Sequence, residues 1–199
     1  MARMSRKESH ALTRERLVAT AHRMFLVDGY NATSLAAVAD EAGFSKGAVY
    51  SNFETKHALG LAVLDVLHQE RATSLAAAVE GAADVEGVLT AFAAWAEHHI
   101  GDVGWTALEV ELATSSRAVP EVGRELATRR RELTSLLGVL LDHQAASLGL
   151  RLPVPAEDAA VQLLAMGIGL GVQRAFDPDL PITALVDLLR SILAAATPA

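Results

Sequence analysis

The sequence predicts an all-α fold, and three observations predict it. Apolar residues recur at three- and four-residue spacing along nearly the whole chain. No stretch alternates with the period of two that a half-buried strand requires. Glycine or proline stands where the helical segments would stop. The segments fall into an N-terminal three-helix unit over residues 1–56 and a larger helical unit over 57–199.

Residues 1–10 are basic and are expected to form a flexible arm, with the first helix running from about Ala11 to Asp28. Leu17, Ala21, Met24 and Phe25 make its buried stripe, Arg14, Arg16 and Arg23 its solvated side, and Gly29 its end. In the stretch Thr33 to Lys56, Thr33 or Ser34 can cap a short helix by accepting from an orphan backbone N–H. Leu35, Val38, Ala39 and Ala42 share one face of it, and Gly43 stops it as a left-handed residue without a Cβ to clash. Ser45 then caps a second short helix that points Val49 and Phe53 inward and presents Lys46, Gly47, Ala48, Tyr50, Ser51 and Asn52 outward. Thr55 caps a longer helix of about 19 residues with Leu59, Val63, Val66 and Leu67 as its apolar stripe.

Beyond it, Val88, Phe92, Trp95 and His99 mark one face of a helix over 84–100, and Gly101 to Gly104 a break. Trp105, Leu108, Leu112 and Ser115 mark a shorter helix, with Glu111 beside that stripe. A long helix follows from about Glu121 to Leu148, stopped by Gly149, with Val122, Leu126, Leu133, Leu137 and Leu140 inward. After the proline-rich connector 150–155 come two apolar helices, about Ala156–Phe176 and Ile182–Ala196. A terminal hairpin this apolar calls for burial against a partner. Gly167, Gly169 and Gly171 reinforce the point, since each costs roughly 1 kcal/mol against alanine inside a helix. Close approach of another helix is one reason to keep them, and a distorted turn beside a ligand cavity is another.

At 199 residues, 51% of them hydrophobic and 21% charged, the chain can bury one sizeable core or two small ones and is not a disordered segment. No apolar run approaches the roughly 18 residues of a membrane span. The N-terminus lacks the apolar region of a secretory signal, so a cytoplasmic location is expected. Absence of cysteine removes disulfides, thiolate nucleophiles and cysteine zinc sites. The net charge of −7 is unevenly shared. Residues 1–56 hold eight Lys and Arg against six Asp and Glu, a balance of +2, and the remainder holds nine against eighteen, a balance of −9. Only the N-terminal part is electrostatically suited to meet a polyanion.

A helix, a glycine turn and a second capped helix with a short face of small and hydrogen-bonding residues is the helix-turn-helix pattern, because a helix entering the major groove must bring its backbone close to the base edges. The 24-residue string from Thr33 to Lys56 resembles the TetR family of bacterial regulators. The resemblance rests on Gly29 and Thr33, on the AxxAGxS of Ala39, Ala42, Gly43 and Ser45, and on Gly47, Tyr50, Phe53 and Lys56. It implies that Lys46, Gly47, Ala48, Tyr50 and Ser51 touch an operator and that Thr33, Ser45, Tyr50 and Lys56 grip phosphates. The residue types agree: Lys46 can donate to guanine or to phosphate, Ala48 can pack on a thymine methyl, and the Tyr50 hydroxyl can reach a phosphate oxygen. Tyr50 could instead be a buried aromatic of the small core, and Asn52 stands where the family often has histidine. Lys56 opens its helix, where a cation opposes the helix dipole and a phosphate would resolve the conflict. Arg3, Arg6 and Lys7 could add phosphate or minor-groove contacts, or the arm could have no role.

The resemblance also implies a homodimer held by the last two helices, with Leu163, Gly167, Gly171, Leu185, Leu189 and Ile192 at its interface, matching a palindromic double-stranded DNA operator. It implies a cavity for a small, largely apolar effector, which would release the DNA if the chain is a repressor. Leu67, Phe92, Trp95, His99 and Trp105 are candidate lining, together with Leu108, Glu111, Met166 and Gln173. Each aromatic could equally be core, and His99 either a satisfied core histidine or a polar hook. No cofactor, metal or membrane is called for. Two other readings are a nucleoid-type DNA binder without a sensed ligand, and an enzyme. Against the second, Glu97–His98–His99 with Glu109 and Glu111 lacks any i,i+4 ligand pair such as HExxH, and no GxGxxG, GxxxxGK[ST] or GxSxG is present.

Overall fold

The computed structural model describes residues 5–115 and 117–199. Among them the order is α1 (Arg6–Asp28), α2 (Leu35–Glu41), α3 (Lys46–Asn52), α4 (Lys56–Val79), α5 (Val85–His99), α6 (Val103–Ser115), α7 (Pro120–Ser147), β1 (Leu150–Arg151), α8 (Ala156–Arg174), α9 (Thr183–Ala194) and β2 (Thr197–Pro198). The fold is all-α, with one antiparallel clip in which Leu150 faces Pro198 and Arg151 faces Thr197. No helix among the described residues is long and apolar enough to cross a membrane.

The chain forms two compact units, Met1–Leu67 with Ala107–Leu126, and His68–Thr106 with Ala127–Ala199. In the first, Leu17, Ala21 and Phe25 of α1 are buried, as are Val38 and Ala39 of α2, Val49 of α3, Leu59 and Val63 of α4, and Leu108 and Leu112 of α6. Helix α1 starts five residues before the expected Ala11, because Ser5 and Glu8 form a capping box. The Ser5 hydroxyl accepts from Glu8 N–H at 3.2 Å and the Glu8 carboxylate from Ser5 N–H at 2.7 Å, satisfying two backbone donors that would otherwise have no helical partner. Lys7 therefore lies on a helix rather than in an arm; Arg3 and the Arg6 side chain lie outside the described residues.

Ser34, not Thr33, caps α2, accepting from Ala37 N–H at 3.1 Å. Gly43, at φ +74°, ends α2 as expected. Phe44 N–H donates to Ala39 O and Gly43 N–H to Asp40 O, the paired reverse bonds of a Schellman stop. Thr55 caps α4 through Ala58 N–H, and α4 extends over 24 residues rather than about 19. The arginines expected on the solvated side of α1 are exposed, yet two of them serve neighbouring helix ends. The Arg16 guanidinium donates to Ala42 O at the close of α2 and lies over the Phe44 ring. Arg14 does the same at the close of α3, with Asn52 O and Phe53. A cation at a helix C-terminus meets orphan carbonyls and the negative end of the dipole.

In the second unit one apolar cluster joins Val88, Leu89, Phe92 and Ala96 of α5 to Leu170 of α8 and to Leu185, Leu189 and Leu193 of α9. Part of the terminal hairpin is therefore covered within its own chain. Of the six residues expected to face a partner subunit, Gly167, Gly171, Leu185, Leu189 and Ile192 are buried within their own chain and only Leu163 is half-buried. A Cβ on Gly167 would lie 3.6 Å from Ile100, and one on Gly171 would lie 3.3 Å from Thr106 Oγ1. The close approach these glycines permit is to the α5–α6 corner of the same molecule. The break expected over Gly101 to Gly104 is shorter, since α6 begins at Val103 after Asp102 accepts from Trp105 N–H.

Candidate nucleic-acid interface

Helix α3 is only seven residues long, and Val49 is its one buried member. Around that anchor Lys46, Gly47, Tyr50 and Ser51 are exposed and Ala48 half-buried. Tyr50 is 54% exposed, so it is no core aromatic; that place belongs to Tyr30, at 2%. Ser45 is exposed, with its hydroxyl accepting from Ala48 N–H at 3.2 Å, and one lone pair and its proton remain for another partner. Ser51 Oγ and Asn52 Nδ2 both donate to Ala48 O, at 2.9 and 2.8 Å. The Asn52 amide is thus turned back onto its own helix.

Thr33 is placed differently. It is 4% exposed, its hydroxyl donates to Gly29 O at 2.9 Å and its N–H to Tyr30 O. Its role is to tighten the turn between α1 and α2. Lys56 stands at the first residue of α4, partly buried, and the conflict between its charge and the helix dipole is already answered inside the protein. Its ammonium donates to Asn31 O at 3.1 Å and sits 4.4 Å from the centre of the Tyr30 ring. Glu111, on α6, accepts from Asn31 N–H at 2.8 Å. Burial lowers the Lys56 pKa, and the nearby Glu111 carboxylate opposes that shift. Sequence spacing gives no signal for this cluster, because Glu111 lies 80 residues from Asn31.

Tyr30 packs edge-on to Phe25 with ring centres 5.1 Å apart, and its buried hydroxyl has no partner among the described residues. Burial first, and Glu111 second, push its phenol up to about 12 from the ordinary 10.0. A folded-state pKa above the unfolded one means the unfolded chain releases its proton first, so stability falls as pH rises from about 10 to about 12. Tyr30→Phe is expected to remove that alkaline loss and to leave stability at pH 7 unchanged or higher, since a buried hydroxyl without a partner costs about 1–3 kcal/mol. Urea midpoints at pH 7 and at pH 11 check both; a lower midpoint for the variant at pH 7 would mean the hydroxyl is satisfied after all.

The capped α2–turn–α3 pair and the start of α4 lie within residues 17–63, which match the family model described as bacterial regulatory proteins, tetR family. Residues 17–63 carry the DNA-binding region of the TetR family. Over 69 residues the chain is 38% identical to the HTH-type transcriptional regulator TtgR of Pseudomonas putida, an alignment that covers 35% of this chain and 32% of TtgR. The chain thus aligns with about a third of the length of that relative. Among solved structures, a transcriptional regulator from Rhodococcus sp. Rha1 superposes with a TM-score of 0.70 at 26% identity, over 92% of this chain and 97% of the other. A protein from Saccharomonospora viridis in complex with choline gives 0.64 at 17% identity, over 92% and 96%.

The residues considered for an effector cavity are divided between the two compact units. Leu67, Leu108 and Glu111 belong to the first compact unit, the first two fully buried and the third bound to Asn31. Phe92, Trp95, His99, Trp105, Met166 and Gln173 belong to the second. There Phe92 and Trp95 stack at 6.2 Å and Trp95 and His99 at 4.8 Å. Trp95 Nε1 donates to Ser74, and His99 Nδ1 lies 2.6 Å from Trp95 O. A carbonyl only accepts, so Nδ1 carries the proton and Nε2 keeps its lone pair when the ring is neutral. Trp105 lies under the Arg71 guanidinium, which pairs with Asp102 at 2.8 Å, and its Nε1 is buried without a partner. Met166 packs against the apolar cluster, while Gln173 is exposed and donates to Gly169 O. Glu97 pairs with Arg174 at 2.7 Å, and among the described residues no three acidic or histidine side chains are grouped to hold a metal ion.

Proposed function

We propose that the chain is a transcriptional repressor that binds a palindromic operator as a homodimer and is released by a small, largely apolar effector. The outward face of α3 carries the proposal: a short, capped helix, anchored by one buried valine, whose solvent side offers a lysine, a glycine, a tyrosine and serines. Lys46, Ala48 and Ser51 are the base-reading candidates; Ser45, Tyr50 and Lys56 hold phosphates, and Gly47 lets the backbone approach. Thr33, buried at 4% exposure where Ser51 is exposed, is left out of that set. The functional division falls near residue 56, with residues 57–199 serving effector and dimer. A regulator, rather than an enzyme, also accords with the family. A protein of similar fold in complex with choline supports a small-molecule effector. The stacked Phe92, Trp95 and His99 provide an apolar, aromatic wall for one.

The dimer is proposed on the side of α8 that the fold leaves open. Val161, Ala165 and Phe176 are exposed there, and Ile168, Gly169 and Val172 half-buried. Selection of bound fragments from a genomic pool, followed by a small-molecule release screen on the recovered site, tests the whole reading. Indifference to sequence would favour a nucleoid-type binder; indifference to every duplex at low salt would sink the proposal. Within a functional operator set, Lys46→Ala and Ser51→Ala are expected to change the ranking of sequences by about 1–3 kcal/mol per contacted base pair. Uniform weakening by both variants in a gel-shift series would show that α3 positions without reading.

A further inference from the structure

We propose that Glu111 is a positioning residue for the DNA-binding head, whose carboxylate competes with DNA phosphate for the Lys56 ammonium and so sets the strength of that contact. The role rests on reading Lys56 as a phosphate contact. Three electron-rich groups already surround the ammonium or its anchor. Asn31 O accepts from it at 3.1 Å, the face of Tyr30 lies 4.4 Å away, and Glu111 holds the same residue, Asn31, through its N–H at 2.8 Å. The other Glu111 oxygen lies 3.9 Å from where a Gly29 Cβ would stand, so the carboxylate rests against the whole 29–31 turn. Its charge reaches both Tyr30 and Lys56: it adds to the burial that pushes the Tyr30 phenol up, and it partly offsets the burial that holds the Lys56 ammonium below its ordinary value.

The consequence for binding is electrostatic. A lysine that faces solvent alone offers an approaching phosphate a full positive charge, and contacts of that kind make affinity fall steeply with salt. A lysine backed by a carboxylate offers less, because phosphate meets the attraction of one charge and the repulsion of the other. The charge of Glu111 can be separated from its grip on Asn31. Glutamine keeps the length and an oxygen that accepts from Asn31 N–H, and loses only the charge.

Gel shifts of the full-length protein on a mixed-sequence duplex, across a salt series, read the effect. Glu111→Gln is expected to tighten binding roughly threefold to tenfold at low salt and to steepen the salt slope by up to about one unit. Lys56→Gln should weaken binding and flatten the slope, and the Glu111→Gln gain should vanish in the Lys56→Gln background. A gain that survives there would reflect overall charge and overturn the proposal, as would unchanged affinity. If Glu111→Gln lowers the melting temperature too far for use, Glu111→Asp replaces it. That variant withdraws the carboxylate by one methylene, and a smaller gain that again depends on Lys56 is expected; none would overturn the idea. Wild-type protein that ignores the duplex would instead sink the DNA-binding reading itself.

Discussion

If the proposed dimer forms through the open side of α8, Gly169→Arg is expected to yield a monomer and to weaken operator binding a hundredfold or more, while leaving the fold intact. The three glycines of α8 are spaced two apart, and residues two apart on a helix point about 200° from each other. Gly167 and Gly171 therefore share a face, the one turned to Ile100 and Thr106, and Gly169 points the other way. Among the described residues, nothing beyond its chain neighbours and its own helix backbone lies within 4 Å of a Cβ built on Gly169. Around it Val161 is 51% and Phe176 85% exposed, which leaves an apolar stripe with a small residue at its middle.

A second copy laid on that stripe would approach closest at Gly169, and an arginine there would bring two long charged side chains together across a two-fold axis. Linking two heads makes the second contact intramolecular, and losing the link forfeits a factor of about 100 to 10,000 in affinity. The monomer itself should gain about 1 kcal/mol from replacing a helical glycine, so its melting temperature should hold or rise once dimer dissociation is allowed for. Light scattering and a gel shift on the same preparation decide the matter. A Gly169→Arg protein that remains dimeric would place the interface elsewhere. Gly171→Ala serves as the contrast, since its Cβ would press on Thr106 at 3.3 Å and act on the fold of the single chain.

The first unit was legible in the sequence to the level of individual caps, and the reason is local. Ser45, Gly43 and Thr55 act on atoms within four residues of themselves, so a window of a dozen residues contains both the cause and its effect. The Ser5–Glu8 capping box was equally local but was masked by the expectation that a basic terminus is an arm. What stayed hidden is whatever joins distant segments. Arg14 and Arg16 read as solvated because they fall off the apolar stripe of α1, yet they finish α3 and α2. Glu111 read as pocket lining because it flanks Leu108 and Leu112, yet its partner is Asn31. Periodicity identifies which face of a helix is buried and is silent on what covers it. For the same reason the spacing of α9 gave its apolar face but not the α5 residues that share its cluster.

Gly60→Leu is expected to cost the first unit about 3 kcal/mol or more, and Gly60→Ala about 1–3 kcal/mol, although alanine is the better helix former by roughly 1 kcal/mol. Gly60 lies one turn into α4, where α1–α2 turn, α4 and α6 converge. A Cβ built on it would stand 2.8 Å from Cε2 of Tyr30 and 3.0 Å from Cδ2 of Leu112. Both neighbours are themselves packed, Tyr30 against Phe25 and Leu112 with no exposed surface, so neither can move aside without opening a gap. The functional consequence follows from the ring that would be displaced. Tyr30 presents its face to Lys56, and shifting it would also move the Asn31 carbonyl to which that ammonium donates. Thermal melts should therefore fall by about 2–4 °C for each kcal/mol lost. If Lys56 holds a phosphate as proposed, duplex binding measured below the new melting point should weaken alike on every sequence, because a phosphate contact carries no sequence information. Combining Gly60→Ala with Leu112→Ala separates crowding from propensity. If the clash with Leu112 is the cause, the double variant should lose less than the sum of the two single losses. If Gly60→Ala alone raised the melting temperature, the glycine would be a tolerated weakness of α4 and not the point of closest packing.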